Sequence, residues 1–264
     1  MNAHALRHSL REQAGRFFAA MMLLTRVPVG AFYRHRAELS AGSVIYFPLV
    51  GFLIGLAGAG AALLGLVFLP VPAAIVLSML VTVALTGGFH EDGLADAADG
   101  LFGGNDIQRR LEIMKDSRLG TFGALALWFS LTAKLLLLCE AARGGGALLA
   151  GGIVVAHTVA RGAGVALLGW LPYVRPGESK SSPFCVGVPV ARLRSALSLP
   201  IAVAAFLPGG RGLVCLLVAT ALTFGAGIYF KAKIGGITGD CLGAANQIVE
   251  LGCYFVLAAR YHHA

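Results

Sequence analysis

At 264 residues the chain is 57% hydrophobic and only 13% charged, with a mean hydropathy of +0.79 and a net charge of +8. So little polar surface cannot coat a soluble globule of this size, which excludes an ordinary soluble domain and points to an integral membrane protein. Its apolar runs are continuous and do not alternate, which argues against the strands of an outer-membrane barrel.

In chain order, Arg7, Arg11 and Arg16 precede FFAAMMLLTRVPVG, but Arg26 and Pro28 interrupt that run and no small-residue cleavage site follows. We read Leu6 to Thr25 as an amphipathic helix on the membrane surface, against the competing reading of a first spanning helix. About seven apolar stretches then approach the roughly 20 residues needed to cross a bilayer core as helix. They are Ser43 to Leu69, Pro70 to Phe89, Leu119 to Cys139, Gly145 to Leu171, Leu193 to Leu207, Gly212 to Phe230 and Cys241 to Ala259. The fifth is the shortest. The expected fold is therefore all-α, a single polytopic membrane domain over residues 1–264, with cytoplasmic loops near 90–118, 172–192 and 231–240. Glycine, at 36 residues, suits close helix–helix approach in a bilayer. The five cysteines show no CxxC pairing and read as reduced packing residues.

The basic residues orient this arrangement. With seven spans and an inside N-terminus, 16 of the 21 Lys and Arg fall on the cytoplasmic side, and the positive-inside rule prefers that orientation. The positive balance then reflects topology and attraction to anionic lipid or substrate, with no nucleic-acid partner implied.

The acids are more telling. Seven of the thirteen, Glu91, Asp92, Asp96, Asp99, Asp106, Glu112 and Asp116, lie between positions 91 and 116. If the second span continues as helix past Gly88, Asp92, Asp96 and Asp99 of HEDGLADAADG stand at i, i+4 and i+7 and project within about 60° of one another, while His90 and Glu91 point elsewhere. Carboxylates so placed repel unless a cation lies between them, and oxygen donors suit Mg²⁺ or Mn²⁺ better than zinc. Downstream, RRLEIMKDSRLGTFG places Arg109, Glu112 and Asp116 at helical spacing, with Lys115 and Arg118 nearby. Acids that hold metal beside bases suit a pyrophosphate undergoing displacement at phosphorus. In GGITGDCLGA, Thr238 and the glycines could present N–H groups to a phosphate, and Asp240 adds a carboxylate.

Plainer readings stand beside these. The acidic segment could be a solvated loop paired to its own arginines, and Asp240 a helix N-terminal residue favoured by the macrodipole. His157 and Arg161 could be a buried hydrogen-bonded pair or part of a polar path, and Lys134 could simply snorkel. His90 suits a supporting role better than that of a general base. From the residues alone the chain is a membrane enzyme with a cytoplasmic metal-carboxylate site for phosphoryl chemistry.

TGGFHEDGLADAADGLFGG and RRLEIMKDSRLGTFGALAL, with LLTRVPVG, YFPLVGFLIG and GGITGDCLGA, closely resemble the signature of the cobalamin-5'-phosphate synthase (adenosylcobinamide-GDP ribazoletransferase) family, in order over nearly the whole chain. The resemblance implies a Mg²⁺-dependent transferase of cobalamin (vitamin B12) biosynthesis in the cytoplasmic (inner) membrane. Its substrates would be adenosylcobinamide-GDP and α-ribazole or α-ribazole 5'-phosphate, and GMP would leave. It implies metal ligation by Asp92, Asp96 and Asp99, with Glu112 beside them, and a metal or base role for Asp116. Arg109, Lys115 and Arg118, with Thr238, Gly239 and Asp240, would bind substrate phosphate. Gln247 stands where relatives carry Glu, while Glu250 remains. A homo-oligomer and association with other late cobalamin enzymes are compatible with this reading.

Three other readings were weighed. A CDP-alcohol phosphotransferase would need DGxxAR spacing, and Asp96 is followed by Ala97 and Ala98. A membrane prenyltransferase would need a second aspartate-rich motif, and Asp240 stands alone there. A transporter would place its acids at broken helices near mid-membrane.

Overall fold

The computed structural model describes residues 3–32, 42–175 and 190–259, and these residues are almost entirely helical. Arg34, Arg36, Lys180, Cys185, Arg260 and most of the predicted 172–192 loop lie outside them. We number the helices α1 (Ala3–Leu24), α2 (Phe47–Phe68), α3 (Val71–Thr86), α4 (Phe89–Gly103), α5 (Ile107–Ile113), α6 (Thr121–Ala142), α7 (Gly146–Trp170), α8 (Val190–Ala204), α9 (Arg211–Ile234) and α10 (Gly239–Ala258).

Among the described residues, five helices are long and apolar enough to cross a membrane: α2 with its preceding turn, α6, α7, α9 and α10. The pair α3 and α4 makes a sixth only if counted as one span, and it bends by 84°. The chain is thus a multi-pass, all-α membrane protein in which length and composition by themselves identify five or six spans, without deciding the expected count of seven. Two of the expected seven differ from a single long apolar helix. The segment near Leu193 to Leu207 forms the 15-residue α8, which has Pro200 inside it and an apolar part, Arg194–Ala204, shorter than the usual span; it runs along α7, with Pro200 near Gly162 and Leu207 near Gly151. The stretch Pro70 to Phe89 is interrupted at Gly87 and Gly88, whose φ values are +67° and +70°. Two consecutive left-handed residues are tolerable only for glycine, and they end α3 and turn the chain before α4 begins. The acidic segment is therefore not a continuation of the second span. With four carboxylates in 15 residues, α4 is too polar to face lipid, and it packs instead against α6 and α10. The loop expected near 90–118 is mostly helix, α4 and α5.

The sequence expectation of a helix near Leu6 to Thr25 corresponds to α1, which at 22 residues is long enough to span but too polar to count as a span. Its C-terminal part buries Ala19, Ala20 and Leu24. The Tyr46 hydroxyl, just before α2, donates to Gln13 Oε1 at 3.0 Å, and Phe17 meets the Tyr46 ring edge-on.

The most buried helix is α7, packed by α2, α8, α9 and α10. Close approach rests on glycine where contacts are tightest. A Cβ on Gly55 would sit 2.8 Å from the Val154 Cα, and one on Gly243 of α10 would sit 3.0 Å from the Gly93 Cα of α4. The second pair matters for function, because it lets the acidic helix lie directly on the start of α10.

Candidate active site

The Gly93–Gly243 contact brings α4 against the first turn of α10, and a Cβ on Gly93 would also meet the Asp240 Cα at 3.3 Å. Asp92 and Asp96, one turn apart on α4, and Asp240 on α10 thereby share one neighbourhood, Asp92 exposed and the other two half-buried. Burial first, then the charges of Asp92, Asp240 and Asp99, push the Asp96 carboxyl up to about 7, with Arg175 opposing. Such a group gains from any cation that separates the carboxylates. Among the described residues no three His, Cys, Asp or Glu side chains form a ready-made metal cage.

Thr238 is the N-cap of α10, its hydroxyl oxygen accepting from Cys241 N at 3.2 Å and its O–H donating to Asp240 Oδ2 at 3.2 Å. Gly239 follows as the first helical residue. The same Asp240 oxygen accepts from Arg175 Nη1 at 3.1 Å, while Arg175 Nη2 donates to the Leu111 carbonyl of α5. Arg175 is held there by a short parallel pairing: Val174 N donates to Ile237 O, and Ile237 N to Pro172 O, each at 2.9 Å. Arg175 stands in none of the motifs read from the sequence. No spacing could have linked it to Asp240, 65 residues away.

The remaining candidates are placed differently. Asp99 is buried, and both its oxygens accept backbone N–H groups at the start of α6, from Gly120 at 2.8 Å and Gly123 at 2.9 Å. That arrangement caps α6 and competes with the ligand role its spacing suggests. Asp99→Asn, which must turn an amide toward one of those donors, is expected to lower stability by about 1–3 kcal/mol in chemical unfolding. Glu112 lies 3.4 Å from Arg109 on the exposed face of α5, where Asp106 caps the helix by accepting from Arg109 N. Asp116 accepts from the Arg118 side chain and backbone, and these bonds hold its carboxyl at about 2. Lys115 is exposed beside them. Thus the structure gathers Asp92, Asp96, Asp240, Thr238 and Gly239, while Arg109 with Glu112 and Arg118 with Asp116 form surface pairs.

Behind this cluster lies a buried ionic network. Glu250 of α10 is 2.8 Å from Lys134 Nζ of α6 and 3.5 Å from Arg161 Nη1 of α7. Lys134 also approaches Glu91 of α4 at 3.7 Å, and Gln247 Nε2 donates to the same Glu91 oxygen at 3.2 Å. Arg161 Nη1 lies 2.8 Å from His157 Nδ1; because a guanidinium only donates, that nitrogen is the acceptor. Tyr254 donates to Glu250 at 3.3 Å. Lys134 therefore does not snorkel: it is 5% exposed and paired. Glu91 does point away from Asp92 and Asp96, and it ties α4 to α6 and α10.

With this geometry in view, relatives were compared. The profile of the family described as cobalamin-5-phosphate synthase matches residues 16–258. The chain belongs to that family. Adenosylcobinamide-GDP ribazoletransferases of Shewanella baltica and Shewanella oneidensis are 41% and 42% identical to it over 252 residues, 95% of this chain and 96% of each relative. The enzyme of that name from Shewanella woodyi is 39% identical over 251 residues, 95% of this chain and 98% of the relative. No solved structure matches. Membership over this length leaves the phosphotransferase, prenyltransferase and transporter readings without support, and it covers α4, α5 and the start of α10 together.

Proposed function

We propose that this chain transfers the adenosylcobinamide-phosphate moiety of adenosylcobinamide-GDP to α-ribazole or α-ribazole 5'-phosphate, forming adenosylcobalamin or its 5'-phosphate and releasing GMP. The observation that carries this is the meeting of Asp92, Asp96 and Asp240, which lie in the blocks that resemble the family's signature, with Arg175 at the Gly93–Gly243 crossing. A hydroxyl oxygen of the ribazole forms the new bond to the phosphorus bearing the cobinamide, the bond to the GMP oxygen breaks, and the hydroxyl proton passes to a base or to water.

The carboxylates fit a magnesium ion by their donor chemistry. Mg²⁺ takes oxygen ligands, keeps several waters, and is commonly held by one or two carboxylates together with substrate phosphates, so a complete protein cage is not required. Asp92 and Asp96 would hold it, with Asp240 facing them. When bound, the ion neutralises pyrophosphate charge and stabilises the departing phosphate. The chain's own residues set the stage. Asp240 is oriented by Thr238 and Arg175, the N–H groups at the start of α10 face anionic oxygens favourably, and the glycine crossing holds α4 against that helix end.

We place the site on the cytoplasmic face of the inner membrane, as the distribution of Lys and Arg supports. In inverted membrane vesicles, which expose that face, GMP release from added adenosylcobinamide-GDP is expected to require both Mg²⁺ and a ribazole acceptor, and to be absent in sealed right-side-out vesicles. Release that ignores the acceptor overturns the reaction; release only in right-side-out vesicles overturns the orientation.

A further inference from the structure

We propose that the groove between α5 and the Pro172–Arg175 segment is a phosphate-binding subsite of this reaction, with Arg175 as its recognising residue and Lys115 as its second cation. This rests on the reading above. The groove has a volume of about 480 Å³, with Ile107, Leu111 and Val174 as apolar lining and Lys115 and Arg175 as its cations. Glu112, also in the lining, is turned to Arg109 and Gln108.

Arg175 is an unusual group to find there. It is 8% exposed, its two terminal nitrogens are engaged by Asp240 and the Leu111 carbonyl, and its buried Nε has no hydrogen-bond partner. A buried N–H without an acceptor is costly and gains from a ligand that completes it. Arg16, Arg110 and Arg161 leave the same nitrogen unpartnered, so what sets Arg175 apart is its place beside Asp240 in a groove with a second cation. A phosphate oxygen suits that remaining N–H of Arg175, while Lys115 adds a point charge. The position is also right for the chemistry. The same guanidinium touches Asp240, so a phosphate held by Arg175 lies beside the carboxylates. Those acids alone would repel it, and the groove is where the repulsion is offset. Two sources supply such a group, the 5'-phosphate of the ribazole acceptor and the pyrophosphate of the donor.

The test compares purified wild-type, Arg175→Lys and Arg175→Gln enzymes, measuring kcat and KM separately for the donor, for α-ribazole and for α-ribazole 5'-phosphate. Arg175→Gln is expected to raise one phosphate-dependent KM about 10- to 100-fold, with partial rescue in Arg175→Lys. A rise confined to α-ribazole 5'-phosphate assigns the groove to the acceptor, and a rise for the donor with either acceptor assigns it to the pyrophosphate. All three KM values within twofold of wild type, with only kcat lowered, overturn the subsite. Should Arg175→Gln fail to fold, the exposed Lys115→Gln carries the same comparison, expected to raise the same KM several-fold and overturning the proposal if it does not. If wild-type enzyme is inactive with these substrates, the reaction assignment fails first. Calorimetric binding of inorganic pyrophosphate then decides the groove: weaker binding in the variant supports it, and equal binding overturns it.

Discussion

Asp96→Asn is expected to leave a folded membrane protein whose turnover falls by about 10²–10³-fold or more, the loss associated with removing one preorganised electrostatic group from a transition state. The substitution keeps the shape and removes the charge. Because Asp96 sits half-buried among Asp92, Asp99 and Asp240, neutralising it relieves repulsion, so the unfolding midpoint should hold or rise while activity disappears. Asp92→Asn should act the same way on turnover. Full activity in both variants would end the metal-platform assignment. A pH dependence follows, with its sign. With its carboxyl near 7 in the absence of a cation, Asp96 binds a proton as pH falls below that value, and the proton competes with Mg²⁺. The Mg²⁺ concentration giving half-maximal rate should therefore climb as pH drops from 8 to 6 (a range on the order of one unit either side), and Asp96→Asn should abolish that dependence.

Glu250→Gln is expected to have the largest effect on stability. Glu250 is 2% exposed and stands between Lys134, Arg161 and His157. Removing one member of a buried ion pair typically costs about 3–5 kcal/mol, because the partner's charge stays buried and uncompensated. For a chain of this size that corresponds to a fall of roughly 10 °C in the unfolding midpoint, measurable in detergent by circular dichroism. A double variant separates charge balance from packing. Lys134→Met with Glu250→Leu removes one charge of each sign and leaves Arg161 within electrostatic reach of Glu91. It should be less destabilised than either single variant, since an apolar replacement of the whole pair is often neutral. A double variant whose loss equals the sum of the singles would show that the pairing is not what these residues contribute.

The network also explains how much of the site could be read in advance. Local information sufficed wherever one segment carried the feature. The acids of HEDGLADAADG are spaced for one helical face, and Asp92 and Asp96 do share one. The start of the last helix was legible at GGITGD, and Thr238 caps it. Spacing alone did not decide a role where another group competes for the same carboxylate. Asp99 has the spacing of a ligand, yet the N–H groups of Gly120 and Gly123 take both its oxygens. Glu112 and Asp116 have helical spacing too, but the nearest cations are their own neighbours on the surface. Lys134 was legible only as a lone charge in an apolar run.

By itself, then, the sequence determined the class of protein, its family and the helix that bears the acids, because hydropathy, glycine punctuation and carboxylate spacing are properties of contiguous residues. Which acids meet, and which cation joins them, was decided only by tertiary structure. Asp240 faces Asp92 and Asp96 because two glycines let α4 and α10 touch, and Arg175 reaches Asp240 because a backbone pairing with Ile237 carries it there. Contacts of that kind depend on helix approach and register between segments far apart in the chain, which no local pattern encodes.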